Sequence, residues 1–381
     1  PLSKVVSFLK IRYTDGKVGN SDVSDRRFMY LNQMKENGDY GYKLGPNGTK
    51  YSGYETLNMA VDLIWEEARK QDLGIDLKLF NDDLSIIFDI FKERRENILL
   101  KRENSIPSFL GYNTSAPYGN IGIVENKGFD ATVEYNKRFN KDWTLAIRGN
   151  ITYNKDKWIE GELPEQRYDW MNQYGQNILG KKGYIAEGLF TRWESLSQAN
   201  KATTPKPFAS QFGTVKAGDI KYKDLNNDGQ IDAYDKTYIC RGDVPTMVYG
   251  FGFTLGWKNL SLGMMFQGTH DAERIMSGSS IQPFNGGGGS GNLYSNIDDR
   301  WTEDNPNQNA FYPRLSYGAE TSSNINNFQP STWWVRDFSF LRLKTMQISY
   351  NLPKDWVNKV RLKNAAVYVM GTNLFTLSKF K

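Results

Sequence analysis

Thiol and imidazole are nearly missing from this chain: its 381 residues include one Cys, Cys240, and one His, His270. One thiol cannot close an internal disulfide, and one Cys with one His leaves too few ligands for a tetrahedral zinc centre. No apolar run approaches the ~18 residues of a transmembrane helix, and the mean hydropathy is −0.61. Charge of one sign is not in excess either. Lys+Arg number 48 against 43 Asp+Glu, a net charge of +5. The charges alternate along the chain, so no basic patch points to nucleic acid. There is no Gly-x-Ser-x-Gly and no readable nucleophile–base set, so an enzyme is not expected. What is present is aromatic and small: 22 Tyr, 14% aromatics and 35 Gly. That mixture suits a β-rich protein and equally an outer-membrane barrel. The length implies two domains or one large β-architecture.

One stretch carries a metal signature. Asp224-Leu-Asn-Asn-Asp-Gly-Gln-Ile-Asp-Ala-Tyr-Asp235 follows the EF-hand Ca²⁺-loop template. Asp224, Asn226, Asp228, Asp232 and Asp235 stand at positions one, three, five, nine and twelve, and Gln230 offers its backbone carbonyl. Gly229 permits the sharp turn at position six and Ile231 points inward at position eight. A hard cation takes about six to eight oxygens, and this spacing wraps them around one point. Position twelve is Asp rather than Glu, so its shorter arm favours one oxygen. The same residues also suit an Asx-rich surface turn without metal. Lys216–Lys223 reads as extended, so the helix pair of a calcium sensor is not expected; the loop reads as a structural clasp.

Strict alternation marks the strands. Val5 to Tyr13 forms a modest one, and a polar stretch from Thr14 to Asp72 has no lasting period. Leu73–Leu79 and Leu84–Ile90 make a hairpin about Asn81-Asp82, and Phe129–Tyr135 pairs with Trp143–Tyr153 about Asn140-Lys141. A third hairpin joins Met247–Trp257 to Leu260–Phe266 about Lys258-Asn259. A final pair, Val335–Asn351 and Lys363–Thr376, is linked by one helical turn within Pro353–Lys359. The count is nine strands. Asp142–Asn154 alternates over a length that, at ~3.3 Å per residue, crosses a bilayer and more. Trp143 and Tyr153 lie near its ends as aromatic girdles would. Four connections are short and the others long (14–72, 94–126, 155–246 and 269–333), the asymmetry of an outer-membrane barrel with extracellular loops. The expectation is an all-β, antiparallel transmembrane barrel, present in part. Because closed barrels have even strand numbers, at least one further strand is expected after Lys381 and others before Pro1. The 155–246 connection, which contains the 224–235 loop, falls on the extracellular side.

Several stretches resemble one family, the SusC/RagA-like TonB-dependent transporters of Bacteroidetes outer membranes. They are Gly218-Asp-Ile-Lys-Tyr-Lys-Asp-Leu-Asn-Asn-Asp-Gly-Gln-Ile-Asp232, Pro245 with the Tyr249-Gly-Phe-Gly hairpin, and Asn120-Ile-Gly-Ile-Val-Glu-Asn-Lys-Gly-Phe129. Phe340-Leu-Arg-Leu-Lys344, Gly371-Thr-Asn-Leu-Phe375 and Trp65-Glu66 before Leu73-Gly-Ile-Asp76 complete the set, in the family's order. The resemblance implies that residues 1–381 are the C-terminal part of a barrel of about 22 strands. It implies import of oligosaccharides or peptides across the cell outer membrane. A SusD-like lipoprotein would cap the loops, and TonB–ExbB–ExbD would supply energy through an N-terminal part absent here. A secreted, calcium-stabilised β-protein for glycan binding or adhesion is the alternative.

For the substrate path the expected residues are Asp130, Glu134 and Arg148 on the lumen face and Trp158, Trp170 and Tyr174 in the loops. Asp76 and Asp89 share that lumen face. Tyr168, Tyr184, Tyr294 and Trp301 are further loop aromatics that suit either sugar stacking or loop packing. Arg241-Gly-Asp243 reads as a turn rather than an adhesion motif. Gly250-Phe-Gly252, inside a strand, reads as close packing rather than a phosphate loop. Gly286–Gly291 reads as a flexible loop tip.

Overall fold

The computed structural model describes residues 5–21, 28–58, 62–105, 116–194, 209, 211–285, 293–316, 325–359 and 361–380. Gly286–Gly291 lies outside them. The strands are β1 (Val6–Asn20), β2 (Gln33–Leu44), β3 (Thr49–Asn58), β4 (Glu66–Leu79), β5 (Leu84–Lys101), β6 (Tyr118–Arg138), β7 (Trp143–Glu160), β8 (Lys181–Gly183) and β9 (Ala186–Leu189). They continue with β10 (Ile220–Tyr222), β11 (Thr237–Cys240), β12 (Met247–Trp257), β13 (Leu260–His270), β14 (Glu273–Ile275), β15 (Val335–Asp337), β16 (Phe340–Asn351) and β17 (Ala366–Ser378). One short helix, α1 (Lys354–Lys359), bridges the last two.

Nine of the strands form one sheet in the order β1-β4-β5-β6-β7-β12-β13-β16-β17, antiparallel throughout. These are the nine read from alternation. Register explains why the pairing is unique. Tyr13, Leu73, Ile90, Phe129 and Tyr153 align across five strands, with Met247 next in line. A slip of one residue would turn each of these rows to the other face. The apolar face is exposed along its length, as at Ile11 (66%) and Val369 (74%). No other described element packs across it, whereas a water-soluble sandwich would bury such a face. Trp143 and Trp257 meet at 6.1 Å near the short turns, and Phe129 and Tyr153 stack at 5.6 Å toward the long connections.

The short turns follow from local chemistry. Phe80, Asn81 and Asp82 all have positive φ (56, 59 and 69°), and the Asn140 carboxamide oxygen accepts from the Asp142 and Trp143 amides at 2.8 and 2.9 Å.

Two expectations change in the structure. The polar stretch 14–72 is not structureless: β1 runs on to Asn20, β2 and β3 pair as a separate hairpin, and β4 begins at Glu66. The strands outrun their periodicity because, past the apolar band, both faces are polar, as in Glu93-Arg-Arg-Glu96. The 155–246 connection packs with others. It shares one core with the connections around 272–338: Tyr184, Leu189, Ile220, Tyr222, Ile231, Met276, Trp301, Tyr312 and Trp334 cluster together. The region expected as Val335–Asn351 is divided, β15 pairing with β14 and β16 with β13.

Candidate functional site

The polar face of the large sheet offers a continuous wall. Arg12 spans two strands, its Nη2 lying 2.9 Å from Asp76 Oδ1 and 2.9 Å from Asp89 Oδ1. Gly74 stands in register between Arg12 and Asp89. A Cβ there would fall 2.1 Å from Asp89 Oδ1, so glycine opens the path for the bridge. Asp130 lies directly opposite Asp89. Farther along, Arg148 Nε meets Glu134 Oε1 at 3.0 Å, with Arg148 75% exposed. Across from Asn150 and Arg148 are Gly250 and Gly252, again leaving room for longer polar neighbours. Here the wall recedes into a depression of about 710 Å³ whose polar lining includes Glu134, Arg148, Asn150 and Gln347. Its lining also holds Ile147, Phe251, Phe253 and Met264, so the surface sets hydrogen-bonding groups among apolar side chains.

At the long-connection end the packed cap is held by buried polar side chains. β9 hydrogen-bonds one edge of β10. Side-chain amides serve the other. Ile220 N donates to Asn327 Oδ1 (2.9 Å), and its carbonyl accepts from Gln211 Nε2 and Asn326 Nδ2 (both 2.8 Å). Tyr222 N donates to Gln211 Oε1 at 2.7 Å and its hydroxyl to Asn326 O at 2.6 Å. Asp219, fully buried, accepts from Arg314 Nε at 2.9 Å and Asn327 Nδ2 at 2.9 Å. Burial pushes the Asp219 carboxyl up from its usual range, and Arg314 pulls it back. The Tyr184 hydroxyl is pushed up to about 12 by burial, with Asp235 and Asp232 adding to the shift; burial also raises Tyr222. Gln211, Asn326, Asn327, Asp219 and Arg314 escaped sequence reasoning. Of these, only Asp219, inside the motif that begins at Gly218, carried a signal.

Between β10 and β11 lies the 224–235 loop, flanked by strands rather than helices. Gly229 takes a positive φ of 82° and donates its amide to Asp224 Oδ2 at 2.8 Å. The second oxygen, Asp224 Oδ1, is buried without a partner. Asp228 Oδ1 accepts from Gln230 N and Asp232 Oδ1 from Tyr234 N; Asn226 and Asp228 bond each other. Asp235, fully buried, accepts from Leu225 N (2.8 Å) and Asp232 N (2.9 Å), which staples the loop ends. Burial raises its carboxyl, and the backbone amides oppose that. Ile231 enters the cap core. Among the described residues, no three His, Cys, Asp or Glu side chains converge as a ligand set. The fit to a cation is therefore partial: Asp224 keeps a free buried oxygen, while Asp235 is engaged by backbone.

The expected path residues divide. Asp130, Glu134 and Arg148 share the polar wall. Trp158 stands on β7 rather than in a loop, because that strand runs on past its apolar band; Gly175 N donates to its carbonyl (2.7 Å), and the Tyr174 hydroxyl donates to Gly161 O (2.7 Å). Trp170 stacks on Tyr168 at 4.5 Å and donates from Nε1 to Tyr234 O at 2.8 Å, which ties it to the 224–235 loop. Tyr184 and Trp301 are core residues. Arg241 and Asp243 are spent on Asp271 and Arg274 within the chain.

A family model described as TonB dependent receptor-like, beta-barrel, matches residues 29–235, just over half of the chain. TonB-dependent receptor P3 of Formosa agariphila is 26% identical over 385 residues, covering 99% of this chain and 36% of P3. TonB-dependent receptor SusC of Bacteroides thetaiotaomicron is 23% identical over 392 residues, with 99% and 35% covered. The chain thus spans about a third of the length of these relatives. In fold it is similar to the RagAB peptide transporter, with a TM-score of 0.68 at 21% identity, covering 99% of this chain and 38% of that one. Nine antiparallel strands with one apolar and one polar face, short turns at one end and a packed cap at the other, agree with these likenesses: the chain belongs to the TonB-dependent receptor-like, β-barrel family and resembles its SusC/RagA-like members.

Proposed function

We propose that this chain forms wall and outer cap of an importer that moves oligosaccharides or peptides across the outer membrane. The observation that carries this reading is the sheet with an apolar face on one side and a hydrogen-bonding, glycine-relieved wall on the other. A hydrated oligomer can slide along such a wall by exchanging one set of hydrogen bonds for another, with little desolvation cost. The relatives are TonB-dependent receptors, and one similar structure is the RagAB peptide importer. On that support the partners here are a SusD-like lipoprotein over the cap and TonB–ExbB–ExbD as the energy source. Trp158, Trp170 and Tyr174 act by shaping the cap, whereas Asp130, Glu134 and Arg148 meet cargo.

Ca²⁺ belongs to the same reading. Asp224, Asn226, Asp228, Gln230 through its carbonyl, Asp232 and Asp235 are the oxygens that would hold it, with Asp224 Oδ1 as anchor. Bound there, the cation would offset the negative charge of the loop's carboxylates. The loop is at the cell exterior in this orientation, where an affinity on the order of 10⁻⁴–10⁻³ M suffices.

The test is uptake by a strain carrying or lacking the complete receptor, supplied separately with labelled oligosaccharides and labelled peptides. Receptor-dependent accumulation of one class, abolished when the proton gradient is collapsed, is expected. Accumulation of neither class, or uptake indifferent to the gradient, would sink the proposal.

A further inference from the structure

Just beyond the apolar band, at the long-connection end, the outward face of the wall becomes basic in an ordered way. Lys92, Lys127 and Lys155 stand opposite one another on β5, β6 and β7. They follow Ile90, Phe129 and Tyr153 by one pleat each. Adjacent strands are about 4.8 Å apart, and like charges facing each other across a ladder are destabilising. One pleat farther, Glu125 is the common partner of Lys92 (3.1 Å), Lys127 (2.9 Å) and Lys157 (3.5 Å). Four lysines (92, 127, 155 and 157) against one glutamate leave +3. Neighbouring cations are matched instead: Arg69 with Asp15, Lys17 with Glu67, Arg94 with Glu96. Among these described residues the excess falls on β5–β7.

Beside these lysines lies an outward groove of about 270 Å³. Tyr13, Leu73 and Ile90 are its apolar floor, and Gln71, Lys92 and Lys127 its upper edge. The height is right for a lipid boundary. The outward run from Trp143 to Tyr153 is ten steps of ~3.3 Å at a tilt of ~45°, about 23 Å, against an apolar band of about 25 Å in such barrels. Lys155 then sits where hydrocarbon gives way to headgroups.

We propose that Lys92, Lys127 and Lys155 bind the phosphate of an anionic lipid in the leaflet at the long-connection end. One acyl chain lies in the groove over Tyr13, Leu73 and Ile90. The apolar floor, continuous with the band below, selects a lipid over a free phosphate, and the unmatched positive charge selects an anionic headgroup over a neutral one. The inference rests on the membrane-spanning orientation of the strands and is independent of the cargo.

The experiment uses the complete receptor in mild detergent, titrated with dioleoyl phosphatidic acid and followed by native mass spectrometry. The folded fraction is selected by heat-modifiable migration. Replacing Lys92, Lys127 and Lys155 together by Gln should weaken retention about fivefold per lysine, on the order of a hundredfold for all three. The matching triple replacement by Arg should keep it near the wild-type level, which separates charge from misfolding. Inorganic phosphate at ten-millimolar concentration should not displace the lipid. Equal retention by the Gln variant, loss in both the Gln and Arg variants, or full displacement by inorganic phosphate would each overturn the proposal. Since uptake is not measured, failure here leaves the transport reading standing, and the reverse holds too.

Discussion

Gly218→Ala is a small change with two separable costs. Gly218 holds a φ of +84°, and a Cβ built on it would lie 2.1 Å from Trp301 Cε3 and 2.3 Å from Cδ2. The left-handed backbone costs alanine about 1–2 kcal/mol. Forcing a methyl against a ring buried to 6% exposure adds about 1–3 kcal/mol. The sum, roughly 2–5 kcal/mol, falls on the cap, because Gly218 N donates to Phe190 O and Arg314 N to Gly218 O, both at 2.8 Å. Trp301→Ala alone should cost about 3–5 kcal/mol by emptying part of the core. In the double variant the overlap is gone, and of the Gly218→Ala penalty only the backbone part remains. Its destabilisation should fall short of the sum of the singles by about 1–3 kcal/mol. Hydrogen exchange of the complete receptor reads this through the amides of residues 218, 190 and 314, leaving the barrel amides as an internal control. Additivity of the two substitutions to within about 0.5 kcal/mol would refute the close approach of Gly218 to Trp301.

Leu145→Arg on the outward face should cost about 2–4 kcal/mol of barrel stability, whereas Arg148→Lys on the polar wall should be nearly neutral; urea unfolding in bilayers distinguishes them, and the opposite ranking means the faces are reversed. Asp224→Ala with Asp228→Ala should leave the barrel intact but expose segment 155–246 to protease and lower uptake, as chelation should in the wild type; equal protection with and without chelator argues against a clasp. Tyr184 binds its proton more tightly folded than unfolded, so the cap is at full stability below about pH 10 and weakens as pH rises toward about 12, by on the order of 2 kcal/mol. Tyr184→Phe should flatten that alkaline loss, monitored by tyrosinate absorbance together with proteolysis; an unchanged profile would place the ionising group elsewhere.

The wall was legible because a sheet between lipid and water writes its two faces into the chain at period two. Trp143 to Tyr153 and Met247 to Trp257 show this plainly, and the turn at Lys258-Asn259 falls where expected. Legibility ended where the apolar band ended: Gln71 to Arg69 and Lys92 to Glu96 stay in the ladder with polar residues on both faces. The cap was the least readable part. Its contacts join positions far apart in sequence, such as Asp219 with Arg314 and Tyr222 with Asn326, and no local period encodes such a meeting. The 224–235 loop showed its turn chemistry in advance, because Asx side chains and Gly229 act on their own backbone. Asp235 as a staple on Leu225 was not visible, since its backbone partners depend on how the loop ends approach.

The amides of Gln211, Asn326 and Asn327 have a consequence for life in a crowded membrane. A short strand normally offers its free N–H and C=O groups to any passing chain, and neighbouring copies held in one plane meet often. Here those groups on Ile220 and on the Tyr222 amide are already taken by side chains of the same molecule. On the other strand, Ala186 N and Leu189 N donate to Thr332 Oγ1 and Gln308 Oε1. A side chain satisfies a hydrogen bond without presenting a new one in register, so the small sheet has no place to grow. Copies can therefore pack side by side without zipping together through this sheet.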